Sequence, residues 1–275
     1  MNNFSDPMRY QRRLALVTGA SSGIGAAFAR LAAAKGFDVA LVARREDRLQ
    51  SLASELTSKY DIAVRFRSTD LCDPEAPSAI CNWIKADGRA VDVLINNAGY
   101  TIPQSFAASA LEQQLKYIEL SVTGPVALSR HVLPGMINRG WGRIINISSI
   151  TAFSSGGKGH TLYPASKSFI VKFSQSLNAE VAEKGVFVTA VCPGFVDTEF
   201  QQANNMADKM ASMPKFLKQT PEEVAAEAWA RNDRGVEVVV PGLLPKIAAA
   251  TMKLVPEQIV TPLTRSAAEK YYVGD

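Results

Sequence analysis

Two side chains that can exchange a proton lie four positions apart in the segment Tyr163-Pro164-Ala165-Ser166-Lys167. On a helix this spacing places the phenol and the ammonium on one face. A free tyrosine has a pKa of about 10, and a nearby cation favours the phenolate. We therefore predict that Lys167 lowers the pKa of Tyr163, so that the phenol can donate or accept a proton. The same pair could also lie on an exposed helix face without a catalytic role. The surrounding elements must show which of the two interpretations applies.

A second group of residues that could bind a ligand is the glycine-rich loop at positions 19–25, Gly-Ala-Ser-Ser-Gly-Ile-Gly. It follows a short apolar run at 14–17 and precedes an alanine-rich stretch that ends at Gly36. A strand, a glycine loop and a helix in this order present backbone N–H groups to a phosphate. An ordinary tight turn between a strand and a helix is the alternative.

The end of the next predicted strand bears on the choice of nucleotide. In dinucleotide-binding folds an acidic residue there binds the ribose 2′-hydroxyl of NAD, whereas an arginine accommodates the 2′-phosphate of NADP. In this chain Arg44 and Arg45 follow the apolar run at 37–43. The sequence therefore favours NADP over NAD, although two arginines would also suit the exposed start of a helix.

Apolar runs and helical patterns alternate along most of the chain. The runs predict seven strands, at residues 14–17, 37–43, 62–67, 91–95, 143–147, 186–191 and 236–240. A long helical pattern covers residues 111–139, where Pro125 should bend the helix or begin a new turn, and another covers 163–184. This alternation predicts an α/β fold with one doubly wound parallel sheet of the Rossmann type and helices on both faces, an α/β/α sandwich.

The chain shows no linker, shift in composition or internal repeat, so we expect residues 1–275 to form one domain. Residues 1–12 would be an N-terminal arm, residues 195–220 a substrate lid, and residues 243–275 a C-terminal tail. Apolar side chains near the predicted lid favour a hydrophobic substrate; they are Phe153, Leu162, Phe195, Phe200 and residues 206–213.

The composition argues against several classes of protein. The net charge of +4 is spread along the 275 residues, which does not indicate a nucleic-acid-binding surface. Three cysteines without a CxxC pair and two scattered histidines predict no disulfide framework, no metal site and a cytoplasmic location. No uncharged apolar run approaches the ~20 residues that a membrane-spanning helix needs, and we expect no secretory signal.

Five groups of residues together resemble the short-chain dehydrogenase/reductase family over residues 12–242. They are residues 18–25, Asp70, residues 96–99, Ser149 with Tyr163 and Lys167, and the segment Pro193-Gly194-x-Val196-x-Thr198. The resemblance implies a nicotinamide cofactor and hydride transfer between a carbonyl and an alcohol. It also implies a homodimer or homotetramer.

The resemblance further implies a role for each matching residue. Tyr163 would be the proton donor, Lys167 would bind the nicotinamide ribose, and Ser149 or its neighbour Ser148 would orient the substrate oxygen. The remaining residues would hold the pyrophosphate, the 2′-phosphate, the adenine, the ribose and the carboxamide. In that order they are Gly19, Ser21, Ser22, Gly23, Ile24 and Gly25; Arg44 and Arg45; Asp70 and Leu71; Asn97, Ala98 and Gly99; and Pro193, Gly194, Val196 and Thr198.

One position departs from the family. Members usually have an asparagine in the middle of the fourth helix, where it holds a water that relays protons to the lysine, and this chain has Ser121 there. A serine hydroxyl is shorter than an amide and has one donor hydrogen instead of two. We expect a slower proton relay and a retained reaction, because Ser149, Tyr163 and Lys167 are all present.

The function that we predict is an NADPH-dependent carbonyl reductase, reversible as an alcohol dehydrogenase, that acts on a small hydrophobic molecule. Two alternatives stay open. A non-catalytic NADP-binding sensor or interaction protein would account for Ser121, and a membrane-peripheral lipid carbonyl reductase would account for the apolar residues at 243–260.

Overall fold

The computed structural model describes residues 12–102, 104–157, 159, 161–199, 214, 217–255, 258–259 and 261–262. Within these residues the strands are β1 (Leu14–Thr18), β2 (Asp38–Ala43), β3 (Val64–Ser68), β4 (Val91–Asn96), β5 (Gly142–Ile147), β6 (Val186–Val191), β7 (Phe195–Val196), β8 (Lys218–Gln219) and β9 (Val238–Val239). Seven of them form a parallel sheet in the order β3-β2-β1-β4-β5-β6-β9. The two short strands β7 and β8 pair separately, also in parallel.

The helices of the described residues connect these strands. They are α1 (Gly23–Ala34), α2 (Glu46–Lys59), α3 (Ala76–Lys85), α4 (Leu111–Ile118), α5 (Gly124–Asn138), α6 (Leu162–Val181), α7 (Pro221–Asn232) and α8 (Leu243–Leu254). The first of two apolar cores lies between one face of the sheet and α1, α2 and α7. The second lies between the other face and α3, α5 and α6. The predicted doubly wound α/β/α sandwich is therefore confirmed.

The strands are apolar along their length because helices cover both faces of the sheet. Every residue of β1 and β2 is buried. The chain crosses from one side of β1 to the other between β3 and β4, so β1 has β2 and β4 as its two neighbours. Such a reversal opens a crevice at the carboxyl ends of the two strands, where open parallel sheets bind ligands.

Some predicted boundaries differ from the observed ones. The third strand begins at Val64 instead of residue 62, and the last strand has only the residues Val238–Val239, which pair with the end of β6. The long helical pattern at 111–139 is two helices joined by a π-helical turn, Glu119–Thr123. Pro125 lies in the first turn of α5, as predicted for a proline that begins a new turn.

Helix α8 lies in a part of the chain for which the sequence predicted only a tail. It begins after Gly242, whose φ of 79° favours glycine, and Pro245 lies in its first turn. The predicted arm lies outside the described residues except for Arg12, and so does most of the predicted lid, including Phe200 and residues 206–213. Among the described residues, no helix is both long and apolar enough to cross a membrane.

Candidate functional site

The carboxyl ends of the parallel strands border a cavity of about 700 Å³. Every residue that we predicted to bind a cofactor or to react with a substrate lines this cavity, with the exception of Gly25. The sheet therefore brings side chains from positions 19 to 198 to one edge. In the described part of the chain, no group of three or more His, Cys, Asp or Glu side chains is arranged so that it could hold a metal ion.

The glycine-rich loop connects β1 to α1 and needs its glycines for two reasons. Gly19 and Gly23 have φ angles of 64° and 54°, which disfavour residues with a side chain. Gly25 has no room for one, since a Cβ there would collide with the carbonyl oxygen of Gly19 and lie 2.6 Å from Nδ2 of Asn97. Gly25 thus shapes the loop from behind and does not line the cavity.

Hydrogen bonds join the loop to the end of β4. The Asn97 side chain donates from Nδ2 to the carbonyl oxygens of Thr18 (3.0 Å) and Gly19 (3.2 Å). The Thr18 hydroxyl accepts from the backbone N–H groups of Asn97 (3.0 Å) and Ala98 (3.2 Å) and donates to the Ile95 carbonyl. The amide of Asn97 therefore holds the loop in place, while the residue also lines the cavity as predicted.

The N-terminus of α1 fits an anionic group. Ser22 precedes the helix in an extended conformation and makes no side-chain cap, so the N–H groups of the first turn are not satisfied by a side chain. Uncapped N–H groups and the positive end of the helix dipole favour a phosphate. Together with the close-fitting glycines, this arrangement fits the pyrophosphate of a dinucleotide.

The two arginines after β2 have different surroundings. Arg45 donates to the hydroxyls of Ser22 (2.7 Å) and Ser21 (3.0 Å) and forms an ion pair with Glu199 at 2.9 Å. The exposed Arg44 side chain lines the cavity, and no acceptor among the described residues takes a hydrogen bond from its guanidinium. Arg44 therefore presents its guanidinium to the cavity, whereas Arg45 already ties the glycine loop to Glu199.

The three residues predicted to carry the chemistry come together across the cavity. The Ser149 hydroxyl is hydrogen-bonded to the phenol of Tyr163 and accepts from the N–H of Thr151 at 3.2 Å. The Lys167 ammonium donates to the Ile147 carbonyl at 3.1 Å and lies 5.5 Å from the centre of the Tyr163 ring. Ser148 donates its hydroxyl hydrogen to the carbonyl oxygen of Lys167, so of the two serines it is Ser149 that contacts the phenol.

Burial shifts both titrating groups toward their neutral forms. Desolvation lowers the pKa of Lys167 to about 8. Tyr163 is only partly buried as a whole residue, but protein atoms enclose its hydroxyl, and this desolvation raises its pKa, followed by an unfavourable interaction with Tyr117. The hydrogen bond from Ser149 opposes the rise. Lys167 is not among the causes of this shift, so its predicted lowering of the pKa of Tyr163 stays a prediction.

Ser121 lies in the π-helical turn and is buried. It lies four residues after Tyr117, whose phenol contacts the Ser166 hydroxyl at 2.8 Å. Ser121, Tyr117 and Ser166 are all buried. The sequence did not indicate Tyr117 or Ser166, since neither matches a motif.

The remaining part of the cavity wall is largely apolar. It includes Tyr100, Leu120, Ile150, Phe195 and Met252. Of the side chains predicted to make the site hydrophobic, Phe195 lines the cavity, whereas Phe153 packs in a small core with Val171 and Leu162 borders a different cavity. Met252 was not predicted, because it comes from α8.

Comparisons with known proteins agree with this geometry. The sequence profile of the family described as short chain dehydrogenase matches residues 13–209. A 3-oxoacyl-acyl-carrier-protein reductase of Aquifex aeolicus is 31% identical over 221 residues, which cover 79% of this chain and 89% of the relative.

Two solved structures are similar over most of their length. A short-chain dehydrogenase from Sphingobium yanoikuyae in complex with NADPH is 31% identical, with a TM-score of 0.76, and the match covers 89% of this chain and 97% of that one. L-sorbose reductase from Gluconobacter frateurii, complexed with NADPH and L-sorbose, is 28% identical with a TM-score of 0.73, covering 83% and 94%. Both of these proteins were solved with NADPH bound.

The lowered pKa of Lys167 predicts a specific pH dependence of stability. Between pH 8 and 10.5 the unfolded chain holds a proton on this lysine that the folded chain has lost, so folding becomes more favourable as pH rises. A shift from 10.5 to about 8 corresponds to roughly 3 kcal/mol. We expect the unfolding free energy of the wild type, relative to Lys167→Met, to be constant below pH 7 and to rise across this window in urea titrations.

The matched control is Lys172→Met, on the exposed side of the same helix. Its stability relative to the wild type should not change between pH 7 and 10.5 by more than a few tenths of a kcal/mol. A pH-independent difference for Lys167→Met would show that the amine keeps an ordinary pKa in the folded protein.

Proposed function

Because this chain belongs to the short-chain dehydrogenase/reductase family of oxidoreductases, we propose that it is an NADPH-dependent carbonyl reductase for hydrophobic ketones or aldehydes, reversible as an alcohol dehydrogenase. The observation that carries the proposal is the meeting of Ser149, Tyr163 and Lys167 in one cavity with the glycine-rich loop. An apolar wall at the same cavity supports the hydrophobic substrate.

The loop at 19–25 and the N-terminus of α1 would hold the pyrophosphate, and the residues after β3, β4 and β6 would hold the rest of the dinucleotide. When bound, the reduced nicotinamide supplies the hydride that a carbonyl carbon accepts. The chain itself has to orient the carbonyl, exclude water and supply a proton to its oxygen.

The proton would come from Tyr163. Since burial raises the pKa of its phenol, the group is protonated at neutral pH, as an acid in a reduction must be. Ser149 contacts this phenol and would donate a hydrogen bond to the substrate oxygen as negative charge develops there. The pKa of Lys167 is about 8, so its amine is mostly cationic at pH 7 and would stabilise the phenolate left after proton transfer.

The first test removes only the proposed acid. Tyr163→Phe keeps the ring and deletes the hydroxyl, so turnover should fall by about 10²- to 10⁴-fold while NADPH binding, followed by fluorescence, stays intact. The assay follows NADPH oxidation with a panel of hydrophobic ketones and aldehydes. Tyr60→Phe, at the end of α2 and remote from the cavity, is the control.

Two results would contradict this assignment. Near wild-type turnover by Tyr163→Phe would exclude the phenol as the acid. NADPH binding by the wild type without turnover of any compound in the panel would favour the alternative of a non-catalytic NADP-binding sensor.

The preference for NADP over NAD rests on the end of β2. Arg44 offers a guanidinium at the cavity that no described side chain or carbonyl already binds, and Arg45 is held against Ser21 and Ser22. A guanidinium matches the geometry of a phosphate and forms charge-assisted hydrogen bonds with it. A carboxylate that could bind a free ribose 2′-hydroxyl does not follow β2 until Glu46.

The second test therefore changes Arg44. Arg44→Ala should weaken NADPH binding by about 10- to 100-fold, as expected for the loss of a charge-assisted hydrogen bond, and leave NADH binding almost unchanged. Titrations of intrinsic fluorescence with each nucleotide measure both constants. Lys59→Ala, which removes the same charge at the far end of α2, is the control. An equal loss for both nucleotides would show that Arg44 does not read the 2′-phosphate.

A second candidate function is that of a membrane-peripheral lipid carbonyl reductase, and helix α8 favours it. Leu243, Ile247 and Leu254 lie on one side of this helix and are 73%, 55% and 83% exposed, with Lys246 and Lys253 beside them. Met252, on the opposite side, lines the cavity. An apolar face with flanking lysines suits the interface of an anionic membrane, and this one adjoins the proposed substrate site.

Co-sedimentation with vesicles of phosphatidylcholine and phosphatidylserine tests this candidate. The double variant Leu243→Ser/Leu254→Ser should lower the bound fraction at least tenfold, because two large apolar side chains no longer enter the interface. The matched control is Leu111→Ser/Leu115→Ser, which alters two exposed leucines on α4. Absence of wild-type binding, or an equal loss in the control, would exclude the membrane function.

Three expectations stay predictions: one domain for residues 1–275, a homodimer or homotetramer, and a cytoplasmic location. Exposed apolar side chains on α4 and α6 support association between copies of the chain. The three cysteines are free, which suits a reducing compartment.

A further inference from the structure

Tyr117 is the largest side chain among the fully buried residues of the described chain, and only 1% of its surface is exposed. It lies in the last turn of α4, and its ring meets that of Tyr100 edge-on at a centroid distance of 5.4 Å. A buried phenol hydroxyl costs free energy unless it is hydrogen-bonded. The groups that are hydrogen-bonded to this hydroxyl therefore indicate which part of the structure Tyr117 holds in place.

Hydrogen counting gives the hydrogen bonds of Tyr117 a direction. Each hydroxyl has one hydrogen to donate. Ser166 donates its hydrogen to the carbonyl oxygen of Tyr163 at 2.9 Å, so the contact of 2.8 Å between Tyr117 and Ser166 must have Tyr117 as the donor. The chain of hydrogen bonds therefore runs from Tyr117 through Ser166 to the backbone of Tyr163.

This chain of hydrogen bonds joins two helices. Its start is Tyr117 in the last turn of α4, and its end is the first turn of α6, where Ser166 lies between Tyr163 and Lys167 in sequence. A second cavity, of about 20 Å³, borders both Tyr117 and Tyr163. Packing against Tyr163 on that side is incomplete, so its position depends more on hydrogen bonds.

We propose that Tyr117 is a positioning residue for carbonyl reduction, which fixes Tyr163 through Ser166. The proposal rests on the function proposed above. The ring of Tyr117 is rigid and has few rotamers, so it holds its hydroxyl in one place, 2.8 Å from that of Ser166.

Tyr117→Phe removes the donor hydroxyl and keeps the ring. Single-turnover hydride transfer, measured with saturating NADPH and the ketone that the wild type reduces fastest, should slow about tenfold, as for the loss of one aligned hydrogen bond. The dissociation constant of NADPH should not change, because Tyr117 does not line the larger cavity.

Two further variants separate positioning from a general effect on stability. Ser166→Ala should slow hydride transfer as Tyr117→Phe does, and the double variant should be no slower than either, because all three break the same chain. Ser174→Ala is the matched control: it is buried on the same helix and donates to the Ile170 carbonyl at 2.7 Å. It should lower the melting temperature without changing hydride transfer.

The inference is overturned if the wild type reduces the ketone and Tyr117→Phe matches it in rate. It is also overturned if the losses of rate in Tyr117→Phe and Ser166→Ala add in the double variant, or if Ser174→Ala slows hydride transfer as much as Tyr117→Phe does. A wild type that reduces no ketone would contradict the proposed function itself, and the two failures are thereby distinguished.

Discussion

The hydrogen bonds between Thr18 and the segment after β4 are the constraint on which the site depends. One threonine hydroxyl and one asparagine amide satisfy five backbone groups at the point where the order of strands reverses. Without these hydrogen bonds, the strand ends that line the crevice would leave backbone polar groups unpaired. Because these bonds hold the glycine loop against β4, the loop keeps one conformation although its glycines could adopt many others.

Burial explains the electrostatic character of the opposite wall. An amine and a phenol enclosed by protein are both driven toward neutrality, one by a lowered and the other by a raised pKa. The interactions of Lys167 with the Ile147 carbonyl and of Tyr163 with Ser149 favour the charged forms, but they offset the effect of burial only in part. The site is thus poorly solvated and prearranged, and charge that forms there would be stabilised by fixed dipoles more than by water.

The sequence was informative wherever a local pattern determines the structure. Apolar runs located the strands, and the prediction at 186–191 matches β6 at both ends. Because parallel strands bring their carboxyl ends to one edge, residues after those ends could be assigned to one site. Helix α8 was not predicted because prolines interrupt this part of the sequence and most of its large apolar side chains are exposed instead of packed in the core. The ion pair of Arg45 and Glu199, 154 positions apart, and the raised pKa of Tyr163 depend on tertiary packing that no spacing encodes.

The pairing of Arg45 has a consequence for any anion that approaches the glycine loop. Glu199 neutralises this guanidinium and also contacts Arg48, and it directly follows Thr198, which lies over Gly23. An incoming phosphate would compete with a carboxylate that is already in place, so its arrival is an exchange of partners. The net attraction is therefore smaller than two arginines suggest, and the binding of the phosphate would free the Glu199 carboxylate from Arg45.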